Sequence, residues 1–592
     1  MNLLHRRTAE RARLTDRGFV LMTRGYMKVL AVICAFIIFA IPVYSVAEQL
    51  QVKSGSSLAL IDKAYIKGEI SRGDKVFYEM QAVLYPQQLP AEFQSNIVMP
   101  VRSGTPYINN VLDNWNLLDS DQQAAATAYF NRPPAHKYHI SPDSSFMIHY
   151  DTSGSNTVPP EDLDSNGVPD YVDRIALYAD SSCRFYHDGL GYLPPPSDTD
   201  DYYDIYVRFT GLTYGSTYKE AAGDSSWDDF MSYMEIHNTM SIASENDDPE
   251  SDSIGALKIT CAHEYYHATQ MAYAFRTGPD MWWTEGTAVF MEDVVFDVVN
   301  DNYIFLPYFF NYPDTFLIDT SVYGASWHDY STFVWPTYLA EKYGIDIVRH
   351  IWEYMRFYAT LPSMDSALTP NGTDFTSSLQ EFTVWNYFTG DQYNSDYYVE
   401  GASYPLVSVD HQILACPFSG DVPVDAPDGF ASNYITAYPN SVDNGMLKLN
   451  FDGANIVKWG FSYIVFKNDS GLPVINCEVD LTGKTKCGIY DYANYDSIVF
   501  IPCVISQWQD DNSYLFDSEV LSFGDADGSG EMNIFDITYI ITFLYLGGPD
   551  PKYDYYMGDV NCDGSVNIFD VSYLITYLYR DGPEPCPDGP PQ

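Results

Sequence analysis

The chain has 592 residues, 46% of them apolar and 16% aromatic, which is enough to bury several hydrophobic cores and excludes an intrinsically disordered chain. Its 80 acidic residues against 31 Lys and Arg give a net charge of −49, which argues against nucleic acid and anionic membranes as partners. The same charge suits an extracellular setting and the binding of divalent cations. A length of this order predicts about three or four domains.

The first 47 residues predict an N-terminal extension followed by a signal peptide. Lys28 precedes an apolar run at 30–41, and small residues occupy the cleavage positions at 45–47. The run is shorter than a membrane span requires, and an uncleaved anchor is the alternative. Met27 is an alternative start, which would leave residues 1–26 untranslated. We therefore expect a secreted protein, extracellular or associated with the cell surface, with no stable membrane span after cleavage.

Cysteine usage agrees with export. Of the nine cysteines, Cys34 lies in the signal peptide, so an even number remains in the mature chain. In an oxidising compartment these cysteines can form disulfides. Cys477–Cys487 and Cys562–Cys586 are plausible pairs by proximity, and the sequence leaves the other pairings open.

Residues 48–137 form an N-terminal region that is interpreted as either a propeptide or an accessory domain. It mixes short alternating stretches, such as 75–84, with a polar helix-like stretch around 119–130. Strands are predicted next, at 146–150 and 202–209. The helices predicted after them cover 253–275, 281–296, 330–343 and 346–358, and the second of these follows a Gly-Pro turn with Asp280 as its N-cap.

The segment 261–268 contains the pattern His-Glu-x-x-His, at His263, Glu264 and His267. Residues four apart share one face of a helix, so both histidines can reach one metal ion. Neutral imidazole suits zinc, which lowers the pKa of a bound water to about 7. Glu264 follows the first ligand, where its carboxylate can take the proton of that water as the general base. Two histidines that merely pair on a helix face are the structural alternative.

A third ligand is predicted on the next helix. Glu285 follows His267 by 18 residues, in the segment Trp-Trp-Thr-Glu-Gly-Thr-Ala at 282–288. Two antiparallel helices joined by the Gly-Pro turn bring this carboxylate back to the metal. Two histidines and one glutamate leave the fourth zinc position open for water, which is the catalytic rather than the structural arrangement.

The Trp-x-x-Glu-Gly-x-Ala pattern resembles the third-ligand helix of gluzincin metallopeptidases, and the stretch 138–400 is similar to a group of secreted bacterial metalloproteases. Matching segments include Asn-Gly-Val-Pro-Asp-Tyr-Val-Asp at 166–173 and Tyr-Leu-Ala-Glu-Lys-Tyr-Gly at 338–344. The resemblance implies a zincin-like fold and a zinc peptidase that acts on a peptide or protein substrate. The Gly-x-Met-Glu-Asn motif of the gluzincin aminopeptidases is absent, so we expect an endopeptidase.

Gluzincins also use a donor that stabilises the oxyanion of the tetrahedral intermediate. Tyr323 is the best positional match to the tyrosine of the aminopeptidase branch, with Tyr330 and His328 as rivals and simple packing as the alternative. Glu292 and Asp293 are candidates to orient a ligating histidine from behind. A solvated helix face is the alternative for these two acids.

The segment 405–520 differs from the protease-like stretch before it. Short β-rich runs are separated there by Asn, Gly, Asp and Pro, which is typical of a β-sandwich. The runs are predicted at 433–437, 446–451, 461–466 and 497–504.

Residues 523–582 contain an internal repeat, since 525–536 recurs as 559–570. Each copy follows the pattern of an EF-type calcium loop, with oxygen-bearing side chains at positions 1, 3, 5 and 12, glycine at position 6 and a backbone carbonyl ligand at position 7. An apolar helix follows each loop, at 537–546 and 571–579. Paired loops with Asp at position 12 resemble a dockerin type I module. The predicted calcium ligands are Asp525, Asp527, Ser529, Glu531, Asp536, Asp559, Asn561, Asp563, Ser565 and Asp570.

In cellulosomal proteins a dockerin binds a cohesin on a scaffold, so the resemblance implies a cohesin-type partner for 523–582. A terminal domain that calcium stabilises and that has no partner is the alternative. The Pro-rich residues 583–592 are interpreted as a frayed tail.

A further loop of the same type lies within the protease-like stretch. Residues 162–173 place Asp and Asn side chains at positions 1, 3, 5, 9 and 12, and a glycine at position 6. Calcium bound here would stabilise the fold, and a metal-free turn is the alternative. The predicted ligands are Asp162, Asp164, Asn166, Asp170 and Asp173.

The sequence as a whole predicts a multidomain α+β protein with a zincin-like metalloprotease domain, a β-sandwich domain and a small all-α dockerin domain. We expect a secreted zinc endopeptidase with Zn²⁺ and Ca²⁺ as cofactors and no nucleic-acid partner. The alternatives are a non-catalytic extracellular binding or adhesion protein on a degenerate protease fold, or a component of a dockerin-mediated surface assembly. The intact zinc motif argues against degeneracy.

Overall fold

A computed structural model describes residues 55–586 apart from short gaps at 98–100, 199, 276–277, 316, 319–327, 440–444, 469, 472–474, 491, 508–510 and 553–554. The predicted signal peptide at 1–47 and the predicted catalytic Tyr323 lie outside the described residues. Within the described part of the chain, none of the helices is both long and apolar enough to cross a membrane.

The N-terminal region folds as helices around one short strand. The stretch 75–84, which alternates in polarity, is helical, because Val76, Met80 and Val83 recur at helical spacing and are buried. Ser71 caps this helix in a capping box with Asp74. The elements are α1 (Ser57–Ile66), α2 (Arg72–Leu84), β1 (Val101–Ser103), α3 (Thr105–Asp113) and α4 (Ser120–Tyr129).

Strand β1 and the five strands that follow it form a six-stranded mixed sheet, in the order β1-β5-β6-β4-β3-β2. β3, β4 and β6 run parallel to one another, and β5 is antiparallel to β6. β1 pairs parallel with β5 at the edge of the sheet. The further elements here are β2 (Lys137–Ile140), β3 (Phe146–Tyr150), α5 (Asp170–Cys183), β4 (Tyr203–Arg208), β5 (Thr213–Ala222) and β6 (Phe230–His237).

Both faces of this sheet are covered, as the burial of successive β4 residues shows. Ile205 and Val207 belong to the main hydrophobic core, whereas Tyr206 packs with the N-terminal helices. Side chains alternate between the two faces of a strand, so the N-terminal helices cover one face and the helices of the main core cover the other. The N-terminal region is therefore a layer of this domain.

The helices of the main core follow the sheet. The predicted helix at 330–343 is divided, because Pro336 has no N–H to donate to residue 332 and the new helix begins just before it. The helices are α6 (Asp252–Met271), α7 (Met281–Phe296), α8 (Leu306–Phe310), α9 (His328–Ser331), α10 (Val334–Tyr343), α11 (Asp346–Met355), α12 (Thr360–Leu368) and α13 (Phe375–Trp385).

Two sheets with one shared core form the next region. The larger sheet has the order β11-β10-β14-β8-β7, with β12 also paired to β10, and the smaller has the order β13-β9-β15. Phe451 of the smaller sheet lies 5.1 Å from Phe461 of the larger, between ring centroids. The strands are β7 (His411–Ile413), β8 (Ile435–Ala437), β9 (Met446–Gly453), β10 (Trp459–Lys467), β11 (Ser470–Gly471), β12 (Ile475–Cys477), β13 (Lys484–Tyr490), β14 (Ser497–Val504) and β15 (Tyr514–Leu521).

The C-terminal region consists of α14 (Ile534–Leu546) and α15 (Ile568–Arg580), each preceded by one copy of the repeat. Both helices begin three residues earlier than the sequence predicts, because Asn533 and Asn567 cap them in capping boxes. Cys562 and Cys586 form a disulfide, as do Cys477 and Cys487 in the preceding region. Both plausible cysteine pairs are thus formed.

The prediction of a multidomain protein with mixed helices and sheets is confirmed. The finer assignments of a zincin-like domain and a β-sandwich stay predictions.

Candidate metal centre

The sequence brings three predicted ligands together through two consecutive helices. His263 and His267 lie on α6, and Glu285 lies on α7, after a short 3₁₀ turn at Gly278–Asp280. Gln270, in the last turn of α6, donates to the carbonyl of Thr284 in the first turn of α7 at 2.9 Å. This contact ties the two helices together next to the ligands.

The three ligand atoms face one another inside the core. Nε2 of His263 lies 3.0 Å from Nε2 of His267. The two carboxylate oxygens of Glu285 each lie 3.3 Å from one of these nitrogens. All three residues are at most 1% exposed, and they form a group whose ligand atoms lie within 4.8 Å of one another.

Hydrogen bonds on the far side of each imidazole fix its orientation. Nδ1 of His263 donates to Oε1 of Glu292 at 2.7 Å, and Nδ1 of His267 donates to Oε1 of Gln270 at 2.8 Å. A neutral imidazole that donates from Nδ1 keeps a lone pair on Nε2. Both lone pairs therefore point at the shared space, as metal ligation requires.

The buried carboxylates of the group require a nearby positive charge, which can be a proton or a metal ion. Burial lowers the pKa of His263, but the carboxylates of Glu285 and Glu292 outweigh it and raise this pKa to about 10. Burial raises the pKa of Glu285, but the charge of His267 and the closeness of both imidazoles, each 3.3 Å away, lower it to about 2. Without a metal, the centre thus retains a proton that a bound cation would replace.

The donor set fits zinc. Both oxygens of Glu285 are buried and have no hydrogen-bond partner among the described residues, which is costly unless a cation compensates them. Two neutral imidazoles and one carboxylate are the ligands of a catalytic zinc site with one open position.

Glu264 lies against the sheet rather than in solvent. Thr217 of β5 donates to its Oε2 at 2.7 Å, and Thr105 of α3 donates to the same oxygen at 3.2 Å. A Cβ on Gly215 would lie 2.7 Å from Cγ of Glu264, so a glycine is needed at this position of β5. The other oxygen, Oε1, is buried and makes no hydrogen bond to the described residues, which leaves it available to a proton-bearing ligand.

Tyr330 and Glu292 are the predicted neighbours of the ligands that the structure brings to the centre. The ring of Tyr330 lies 6.3 Å from that of His263, between centroids. Burial raises the pKa of Tyr330, and the charge of Glu285 raises it further, so the phenol stays protonated and can donate. Among the described residues, Asp293 makes no hydrogen bond or ion pair with a histidine. Burial and the charge of Glu400 raise its pKa to about 8.

Sequence reasoning missed other residues that contact this group. Gln270 could have been predicted from the sequence, because it lies three residues after His267 on the same helix and so on the same face. Thr217, Thr105 and Arg102 come from distant strands and helices, and no local pattern indicates them. Arg102 lies 3.5 Å from Glu292, between Nη2 and Oε2.

The C-terminal loops have matching networks. Asp525 accepts the N–H groups of Ser529 and Gly530 at 2.9 and 2.8 Å, and Asp559 accepts the corresponding two in the second loop at 3.1 and 2.8 Å. Asp525, Asp527 and Asp536 bring their carboxylates within 4.8 Å of one another. These are the positions 1, 3 and 12 that calcium loops use. The remaining predicted ligands lie in the same loops: Ser529 and Glu531 in the first, Asn561, Asp563, Ser565 and Asp570 in the second.

The loop at 162–173 begins in the same way, since Asp162 accepts the N–H groups of Asn166 and Gly167 at 3.1 and 3.0 Å. Asp162, Asp164 and Asp170 form a three-carboxylate group. Asp173, predicted at position 12, instead accepts from the Asn166 amide at 3.0 Å. Calcium binding by this loop stays a prediction.

Comparison with known families gives two matches. Residues 105–358 match a family described as a family of unknown function (DUF6055). Residues 523–579 match the dockerin type I domain. No curated protein matches the chain significantly. The chain therefore carries a C-terminal dockerin type I domain, which supports Ca²⁺ as a cofactor. The family that residues 105–358 match is described as one of unknown function, so this match indicates no activity.

Proposed function

We propose that the protein is a secreted zinc metallopeptidase, and specifically an endopeptidase of the gluzincin type. The observation that carries the proposal is the buried group of His263, His267 and Glu285. Two oriented Nε2 lone pairs converge there with a carboxylate that makes no hydrogen bond to the residues the structure describes. The open fourth position expected for such a donor set belongs to catalytic rather than structural zinc sites.

The bound metal and the chain's own residues would have separate roles in hydrolysis. Bound zinc would supply Lewis-acid chemistry, polarising a carbonyl and lowering the pKa of water. Glu264 accepts the proton of the attacking water at its Oε1, and its other oxygen is held by Thr217 and Thr105. The protonated glutamate then passes this proton to the leaving amine.

A phenol near the ligands would stabilise the oxyanion. Tyr330 is buried beside His263 and keeps its proton at neutral pH. Tyr323 remains the match by sequence position, in the segment 319–327 that follows α8. The variants Tyr330→Phe and Tyr323→Phe distinguish the two tyrosines. Only the variant that lacks the donor should lose kcat, because the donor acts in the transition state.

The dockerin domain suggests where the peptidase works. We propose that it binds a cohesin-type partner and so places the enzyme in an extracellular, cell-surface assembly. The net charge of −49 is compatible with this location.

The test is metal analysis combined with peptide cleavage. The purified secreted chain should hold one zinc ion at the centre and cleave a proteome-derived peptide library at internal bonds. His267→Ala, which lacks one ligand, should lose both zinc and cleavage. A chain that binds no zinc would refute the proposal. A chain that binds zinc and cleaves no peptide would favour the non-catalytic binding protein instead.

A further inference from the structure

The strand β1 and the start of α3 lie directly beside Glu264. The N–H of Val101 donates to the carbonyl of Leu212 at 2.8 Å, and the N–H of Gly104 donates to that of Gly215 at 2.9 Å. A Cβ on Gly104 would lie 2.2 Å from the hydroxyl oxygen of Ser216, so the backbone of this segment packs tightly against β5. The segment is part of the sheet at the point where the sheet meets the metal centre.

Arg102 of this strand reaches the back of the centre. Its guanidinium contacts Glu292 at 3.5 Å and Asp301, and its side chain is 4% exposed. Glu292 is the acceptor that fixes His263. A buried carboxylate needs a cationic or hydrogen-bonding partner. Arg102 thus provides the cationic partner of Glu292 and helps to hold in place the carboxylate that orients the zinc ligand.

Thr105 connects the same segment to Glu264. Its hydroxyl accepts the N–H of Thr217 at 2.8 Å and donates to Oε2 of Glu264 at 3.2 Å. Together with the Thr217 hydroxyl, it occupies one oxygen of the carboxylate and directs the other away from the sheet. A general base held in one orientation reacts faster than one that rotates.

We propose that Arg102 and Thr105 are positioning residues of the metal centre, and that the active protein therefore retains the N-terminal region that the sequence leaves open as a propeptide. This inference rests on the proposed function. Arg102 acts on zinc binding through Glu292 and His263, and Thr105 acts on the rate of hydrolysis through Glu264.

The Thr105 arm is a comparison of three variants in the full-length secreted chain. Thr105→Val removes the hydroxyl at nearly constant volume and should lower kcat roughly 10-fold with little change in KM. Thr105→Ser keeps the hydroxyl and should recover most of that loss. Thr127→Val, an exposed threonine of α4 in the same region, is the matched control. Equal kcat in the Val and Ser variants of Thr105 would overturn its role.

The Arg102 arm measures zinc affinity by competition with a chromophoric chelator, without any assay of hydrolysis. Arg102→Gln and Glu292→Gln should each weaken zinc binding roughly 10- to 100-fold. The double variant should lose little more than either single one, because both act through His263. Arg72→Gln, at an exposed site in α2, is the control. Additive losses, or unchanged affinity in Arg102→Gln, would overturn the inference.

Sequencing the N-terminus of the active secreted species completes the test. We expect the mature chain to begin before Val101. An active chain that begins after Thr105 would overturn the inference while leaving the proposed function intact. Absence of zinc from the unchanged chain would overturn the proposed function and this inference with it.

Discussion

The buried acids of the metal centre and those of the dockerin loops differ in the charges that surround them. At the centre, Glu285 faces two histidines and Glu292 faces Arg102, and the pKa of Glu285 falls to about 2. In the first dockerin loop, burial raises the pKa of Asp536 to about 6; N–H donors lower it, and the neighbouring carboxylates of Asp527 and Asp525 add to the rise. Both sets of acids are buried, so burial alone does not explain why their pKa values shift in opposite directions. The difference is that the chain supplies cationic partners at the metal centre and none in the dockerin loop.

This difference separates two roles for a metal ion. Without zinc, the proton retained by His263 and the guanidinium of Arg102 supply positive charge at the metal centre, so we expect its fold to persist without zinc, although the proposed chemistry would be lost. The dockerin loops, 525–536 and 559–570, collect carboxylates and contain no Lys or Arg, so we expect them to depend on an external cation to fold. The four predictions that follow test this division, from the largest effect to the smallest.

The largest effect is expected at Glu264. Glu264→Gln removes the proton acceptor but keeps the shape and the oxygen that Thr217 and Thr105 contact, so hydrolysis should fall by about two to four orders of magnitude. Zinc content should not change, because Glu264 is not a ligand. Peptide turnover and metal analysis on the same preparation check this. Glu92→Gln, at an exposed glutamate, is the control, and loss of zinc from Glu264→Gln would contradict the assignment.

Calcium withdrawal should unfold one region and spare the other. At a calcium concentration of about 1,000 times Kd, the ion contributes about 4 kcal/mol to stability. We therefore expect amides of α14 and α15 to lose protection from hydrogen exchange in calcium-free buffer, whereas those of α6 and α7 keep it. Removal of zinc should leave α6 and α7 protected as well. Equal loss of protection in both regions would refute the division.

The same contrast explains how much of each site could be predicted. Every predicted dockerin ligand lies in one of two runs of twelve consecutive residues, 525–536 and 559–570, so spacing alone assigns each ligand to its loop. His263, His267 and Glu285 were predictable for a similar reason, since helix periodicity and one short turn fix their relative positions. Arg102 and Thr105 reach the centre through β1, whose pairing with β5 spans more than 100 residues of chain and leaves no periodic signal.

The fold, like the site, was predictable only where local sequence patterns determine it. Helix α7 begins and ends at the predicted residues, because the Gly-Pro turn and its apolar pattern are local. The role of 48–137 was not predictable, since the burial of Tyr206 against the N-terminal helices depends on the order of strands in the sheet. Long-range pairing is decided by the packing of whole layers, which the polarity of one segment does not reveal.

Gln270 offers a smaller test of the centre. Gln270→Leu removes the acceptor of the His267 Nδ1–H and should weaken zinc binding roughly 10-fold, because the imidazole then loses its fixed orientation. Gln270→Glu keeps an acceptor at this position and should bind zinc more tightly than Gln270→Leu. Chelator competition measures both. If the two variants bind zinc equally, Gln270 only joins α6 to α7 through Thr284.

Asp293 tests whether the lack of a cation, rather than loop geometry, is what destabilises a buried acid. It neighbours Glu292 on α7, but burial and the charges of Glu400 and Asp297 raise its pKa from 3.8 to about 8. A carboxyl with a raised pKa binds its proton more tightly in the folded chain. The contribution of Asp293 to stability is therefore fully present below pH 3.8 and is lost as the pH rises to about 8.

Asp293→Asn removes this titration and should make the protein more stable at pH 8 than the unchanged chain. A tenfold change in proton affinity corresponds to about 1.4 kcal/mol, and since Asp293 is partly exposed we expect a gain on the order of 1 kcal/mol. The gain should shrink as the pH falls towards 4, because the carboxyl is then protonated and resembles the amide. Denaturant unfolding across this range measures it. A gain that does not depend on pH would mean that packing, rather than the missing cation, distinguishes Asp293 from its neighbour Glu292.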